Sequence, residues 1–215
     1  MEHTTMNMIS KAPALQETDE LRADIYALLA TLIRQPPQTE LLSWLQELQP
    51  DQDEDSPMAR AWSSLALHAN HSVPEQLDDE HHHLFIGVGR GELMPFGCWY
   101  LTGSLMEKPL VVLREELEVL GFERQPNVKE PEDHIAALCE VMSMLIQSGR
   151  SYETQHQFWQ KHIQSWAIKF FKDLQNAEHA VFYTAVGLLG EAFMQQEDNW
   201  FLQLSPAARE GGEQQ

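Results

Sequence analysis

From Thr18 the apolar residues Leu21, Ile25, Leu28, Leu29 and Leu32 return every three or four positions, the spacing that lays a stripe along one helix. Pro36 and Pro37 end it, because proline offers no amide donor and clashes with the turn before it. Thr39 is placed to cap a second helix bearing Leu41, Leu42, Trp44, Leu45 and Leu48, with the acidic stretch Asp51 to Asp55 as the loop behind it. Ser56 and Pro57 are a cap and a first helical residue, opening a third helix that turns Trp62 and Leu65 inward. Ser72 and Glu75 around Pro74 have the spacing of a capping box, after which Leu77, His81, Leu84 and Phe85 hold helical register.

That register ends at the glycines. Residues 87–107 contain Gly87, Gly89, Gly91, Pro95, Gly97 and Gly103 and predict a long irregular connection, which inside a compact domain is usually functional or disordered. Pro109 begins a helix carrying Leu110, Leu113, Leu117 and Leu120, closed by Gly121. A helix opening at Glu130 carries Ile135, Leu138, Cys139, Met142, Leu145 and Ile146 and stops at Gly149. Ser151 caps the next, with Trp159, Ile163, Trp166 and Phe170, and Asn176 the last, with Val181, Ala185, Leu188, Leu189 and Phe193. No alternating pattern competes, so the expectation is an all-α fold in one domain over residues 1–215, with flexible polar tails at 1–15 and 205–215.

Composition narrows what such a fold does. A chain of 215 residues with 43% hydrophobic content has material for a proper core. Its 33 acidic residues against 14 Lys and Arg give a net charge of −19, which repels nucleic acid and anionic membrane surfaces and attracts basic partners. Cys98 and Cys139 lie far apart, with no CxxC spacing that would suggest a zinc site or a redox dithiol, which fits a reducing cytoplasm. Met1 to Pro13 has no secretory pattern, and no stretch reaches the roughly 18 apolar residues that span a bilayer. The expectation is a cytoplasmic protein without stable membrane association.

Candidate chemistry gathers in two places. Glu130-Pro131-Glu132-Asp133-His134 puts Glu130, Asp133 and His134 at i, i+3 and i+4, so a helix starting there collects three ionisable groups near one face. The same residues also read as a plain helix start, with proline at the first position and acids against the helix dipole. Pro95-Phe96-Gly97-Cys98-Trp99-Tyr100 places three aromatics in a Gly-flanked loop, where they either line a groove for a peptide or plug the core. Gly87 to Glu92 lacks the Lys-Ser/Thr and βαβ context of a phosphate loop. His81, His82 and His83 point to different sides of a helix and read as an exposed histidine run, and no nucleophile-base constellation stands out.

These two segments resemble motifs of the TorD/DmsD family, cytoplasmic chaperones that mature molybdopterin-containing oxidoreductases. Leu84-Phe85-Ile86-Gly87 followed by Pro95 to Tyr100 is similar to the family's Leu-Phe-x-Gly and Pro-aromatic-x-Ser-x-Tyr stretch, with Cys98 at the usual serine. Glu130 to His134 is similar to its Glu-Pro-x-Asp-His box. The resemblance implies a multi-helix bundle of two helical lobes joined by a hinge near residues 121–130, shaped by Glu130 and Pro131. It implies binding of the twin-arginine signal peptide of a molybdenum oxidoreductase precursor through Pro95, Phe96, Tyr100, Asp133 and His134, and assistance to cofactor insertion before export. The resemblance leaves the client open among a formate dehydrogenase, a dimethyl sulfoxide or trimethylamine N-oxide reductase, and related molybdoenzymes. No resident cofactor or metal and no catalytic residue is expected, and the chain is a monomer or a domain-swapped dimer. The competing expectations are a metal-dependent hydrolase using Asp133, His134 and one of His81 to His83, and a general interaction scaffold.

Overall fold

The structure is a computed structural model that describes residues 16–49, 55–88, 90–125 and 128–204. The expected tails at 1–15 and 205–215, most of the acidic loop and Gly89 lie outside the described residues. Among those described the chain is all-α, in the order α1 (Glu17–Arg34), α2 (Thr39–Glu47), α3 (Pro57–His71), α4 (Pro74–His81), α5 (Gly97–Thr102), α6 (Lys108–Leu120), α7 (Ile135–Gln147), α8 (Tyr152–His162), α9 (Ala167–Gln175) and α10 (Phe182–Leu204). α4 runs on into one π-helical turn, His82–Ile86, which brings Leu84 fully inward.

The apolar stripes of α1 and α7 face each other, and α10 packs against α9 and α3, so one cluster of buried side chains runs from Ala23 to Phe201. α9 and α10 approach closely at Gly190, where an added Cβ collides with the Phe171 ring. A polar network crosses this core. Arg22, 3% exposed, donates through Nε and Nη2 to the Glu197 carboxylate at 2.6 and 2.8 Å and through Nη1 to Asp19 and Gln155, and the Tyr26 hydroxyl donates to Glu197. Leu21, expected in the stripe, is 56% exposed because this network turns Arg22 inward instead.

Several expected helix starts are built differently. Ser56 does cap α3, accepting from the Ala59 amide, and Ser151 caps α8 through Thr154. Ser72, however, donates to His68 O and closes α3, so the expected capping box with Glu75 does not form. Thr39 is already helical, behind Gln38 at the cap position. The helix expected from Ser151 through Phe170 breaks between His162 and Ala167, where Trp166 donates from its indole to His162 O. Asn176 ends α9 rather than starting α10. The cap of α10 comes from 101 residues away, where Glu80 Oε1 accepts from Val181 N and Tyr183 N and Oε2 accepts from Phe182 N.

Candidate functional site

Glu130 to His134 does not begin a helix. Pro131 to Asp133 form a turn, His134 N donates to Pro131 O, and α7 starts only at Ile135 with His134 as its cap. The reason lies in a backbone clasp with the aromatic segment. Ile135 N donates to Pro95 O at 2.8 Å, Gly97 N donates to Asp133 O at 2.9 Å, and Phe96 and His134 form an isolated antiparallel bridge. Two motifs 35 residues apart are thereby one structural unit.

Within it the side chains take separate tasks. Asp133, 4% exposed, accepts the Cys98 amide on Oδ2 at 2.8 Å and so satisfies a free donor in the first turn of α5. His134, 6% exposed, accepts the Ala136 amide on Nδ1 at 3.1 Å, which puts its own proton on Nε2. Burial, followed by the charges of Arg34 and His81, lowers its pKa to about 3, so the ring is neutral. Phe96 meets it edge to face, with centroids 5.1 Å apart. Pro95 is buried. Tyr100 stacks on Trp166 and donates from its hydroxyl to Asp173 Oδ2 at 3.1 Å, and burial beside that carboxylate raises its pKa. Tyr100 thus packs against the core, as one reading of the aromatic segment expects, while Phe96 and Trp99 are half-exposed.

The box separates two cavities. On the Asp133 side is a groove of about 520 Å³, bounded by α5, α6 and the α8–α9 junction and largely apolar, with Leu101, Pro109 and Val112 beside Lys108 and Lys161. On the Glu132 side is one of about 670 Å³ between α1, α7 and the connection after α6, where Phe122, Val141 and Met144 share the walls with Glu123, Glu130, Glu132 and Glu140. Both volumes suit a ligand. Neighbouring residues face opposite cavities, Glu132 against Asp133 and Ala137 against Leu138, so the segment is their common wall.

Charges in the second groove are arranged around arginines of the chain itself. Arg34 pairs with Glu140 at 2.7 Å and Glu130 at 3.2 Å, and Arg114 and Arg124 both reach Glu132. Burial works against ionisation of Glu132, but the Arg114 hydrogen bond and both guanidinium charges outweigh it and lower its pKa. In the histidine run, His81 is buried against Phe85 and Tyr183 with Nε2 bonded to Ile33 O, which corrects the expectation of an exposed run. Among the described residues no group of three His, Cys, Asp or Glu is placed to hold a metal ion, and no helix is long and apolar enough to cross a membrane.

The family model described as nitrate reductase delta subunit matches residues 51–172, more than half of the chain and both motifs. The chain belongs to that family. This chain is 25% identical over 170 residues to a Haemophilus influenzae protein named "Probable Tat proofreading chaperone DmsD", covering 78% of this chain and 77% of that one. It is 27% identical over 125 residues to a Vibrio cholerae protein named chaperone protein TorD, covering 53% of this chain and 57% of the relative. A crystal structure described as "A Putative Redox Enzyme Maturation Protein From Archaeoglobus Fulgidus" shares the fold, with a TM-score of 0.54 at 18% identity over 81% of this chain and 94% of that one. The TorD/DmsD resemblance carried by the two motifs is thus borne out, as is the all-α fold. This family member stands with proteins named chaperones, not enzymes. What the sequence left unseen in it was Arg34 and Glu140. They are 106 positions apart, each on the polar side of an ordinary amphipathic helix, and no local pattern pairs them.

Proposed function

We propose that this protein is a cytoplasmic chaperone that holds the twin-arginine signal peptide of a molybdopterin oxidoreductase precursor and assists its maturation and cofactor insertion before export. The observation that carries the reading is the pair of grooves on the two sides of the Glu130 to His134 wall, one apolar and one lined by carboxylates. A twin-arginine signal combines guanidinium groups with an apolar stretch, and such a ligand requires both kinds of surface close together. Relatives named Tat proofreading chaperone and TorD support the class of partner. Glu130, Glu132 and Glu140 take the basic part, and the groove at Leu101 and Val112 takes the apolar part, with half-exposed Phe96 beside His134 as a further apolar contact. Asp133, His134, Pro95 and Tyr100 hold the wall and the α5 segment in place, and Glu130 and Pro131 shape the hinge between the two helical lobes.

Titration calorimetry of the full chain with signal peptides of candidate molybdoenzymes tests this. Binding should weaken with rising salt as charge attraction is screened, and Glu140→Gln and Val112→Asp should each weaken it, the first by about fivefold or less because the acid is half-exposed. Asp133→Ala should mainly lower stability, by about 1 to 3 kcal/mol from the lost cap. The reading fails if none of the peptides binds, or if binding ignores both groove substitutions.

A further inference from the structure

The guanidinium of Arg34 lies where a visiting arginine would have to go. Its Nε and Nη2 donate to the two oxygens of Glu140 at 3.1 and 2.7 Å, and its Nη1 donates to Glu130 Oε2 at 3.2 Å. A fork on one carboxylate plus a third bond to another is a geometry that fits a planar guanidinium and that a lysine ammonium does not reproduce. The three side chains all line the 670 Å³ groove, with the apolar walls of Phe122, Val141 and Met144 beside them. The groove therefore contains both an arginine-shaped acceptor set and an arginine already on it.

The pairing is also open to exchange. The Arg34 side chain is 26% exposed and its partners 47% and 46%, whereas the core pair of Arg22 and Glu197 is 3% and 1% exposed. Hydrated pairs of the first kind are weak and re-form readily, and Arg34 ends its helix on a long flexible side chain. Four carboxylates line the groove; Arg114 and Arg124 reach Glu132, and of these arginines Arg34 alone pairs with the side chains of Glu130 and Glu140, so withdrawal of Arg34 leaves that acceptor pair with excess negative charge.

We propose that Arg34 is a built-in competitor: in the free protein it occupies Glu140 and Glu130, and an arginine of the client's signal segment docks by displacing it. This rests on the proposed function and adds to it a threshold, since only a segment that offers guanidinium groups recovers the bonds it breaks. A segment with lysines in their place meets the same charge without the fork.

The test uses the full chain and a synthetic peptide with two adjacent arginines ahead of a leucine-rich stretch, together with its Lys-Lys counterpart, followed by calorimetry at low and high salt. Arg34→Gln should tighten binding of the arginine peptide by about three- to fivefold at low salt, the scale of an exposed ion pair, with a smaller gain for the lysine peptide. Arg60→Gln, which removes the same charge from a distant pair between α3 and Asp55 ahead of it, controls for net charge and should give less. Arg34→Lys keeps the charge and gives up the fork, so it should also gain, which preserves the test against poor folding of the glutamine variant. Binding by the wild type that Arg34→Gln and Arg34→Lys leave unchanged or weaken overturns the competitor and spares the proposed function. Absence of binding by every variant overturns both.

Discussion

His134 is neutral in the fold because its Nδ1 accepts an amide and its surroundings are dry, and that has a consequence for acid stability. In the unfolded chain an imidazole takes its proton near pH 6.5, whereas the folded ring resists it down to about 3. Between those values the unfolded state binds more protons, so the contribution is fully present above about pH 6.5 and drains away as the pH falls. From this residue alone the slope approaches about 1.4 kcal/mol per pH unit. His81 and His162, whose pKa values burial also lowers, act in the same direction. His134→Asn keeps a cap acceptor and removes the titration, so urea denaturation at pH 5 and pH 7 should show a smaller loss for the variant. Equal losses would show that His134 titrates freely. The sequence shows this residue among acidic neighbours, yet its protonation is set by burial and then by Arg34 and His81, which adjacency does not reveal.

At the scale of elements, the stripes of α1, α6 and α7 were legible because burial on one side leaves a period of 3.6 in the sequence. Their ends were legible where the signal is local, as at Ser56, Ser151 and the left-handed Gly121 with φ of 85°. They were not where the cap comes from elsewhere. Glu80, 9% exposed, supplies three acceptor contacts to the start of α10, and nothing near Val181 indicates it. Glu80→Ala leaves those amides without acceptors and should destabilise the protein by about 2 to 3 kcal/mol. Hydrogen exchange gives the sharper reading, since the amides of Val181, Phe182 and Tyr183 should lose protection ahead of mid-helix amides in α10. Uniform acceleration along the helix would contradict a local cap.

For the whole molecule, the Arg22 network joins α1, α8 and α10 through Glu197, Asp19 and Gln155, and Tyr152 adds a bond to Asp19. Arg22→Met strands a carboxylate at 1% exposure and should cost about 3 to 5 kcal/mol, while the double variant with Glu197→Leu should recover much of that. Denaturant midpoints for the pair decide it, and equal instability of the single and double variants would refute the argument. The fold class and the two motifs were visible in the sequence, and the clasp that joins them was not, because it is built from main-chain atoms. That clasp sets how a two-part ligand is measured. With one wall shared by both grooves, a segment seated in one groove as proposed would keep its other half at high local concentration beside the second, so the intact peptide would gain an avidity that neither half possesses. Fragments assayed singly would then understate the partner that carries both.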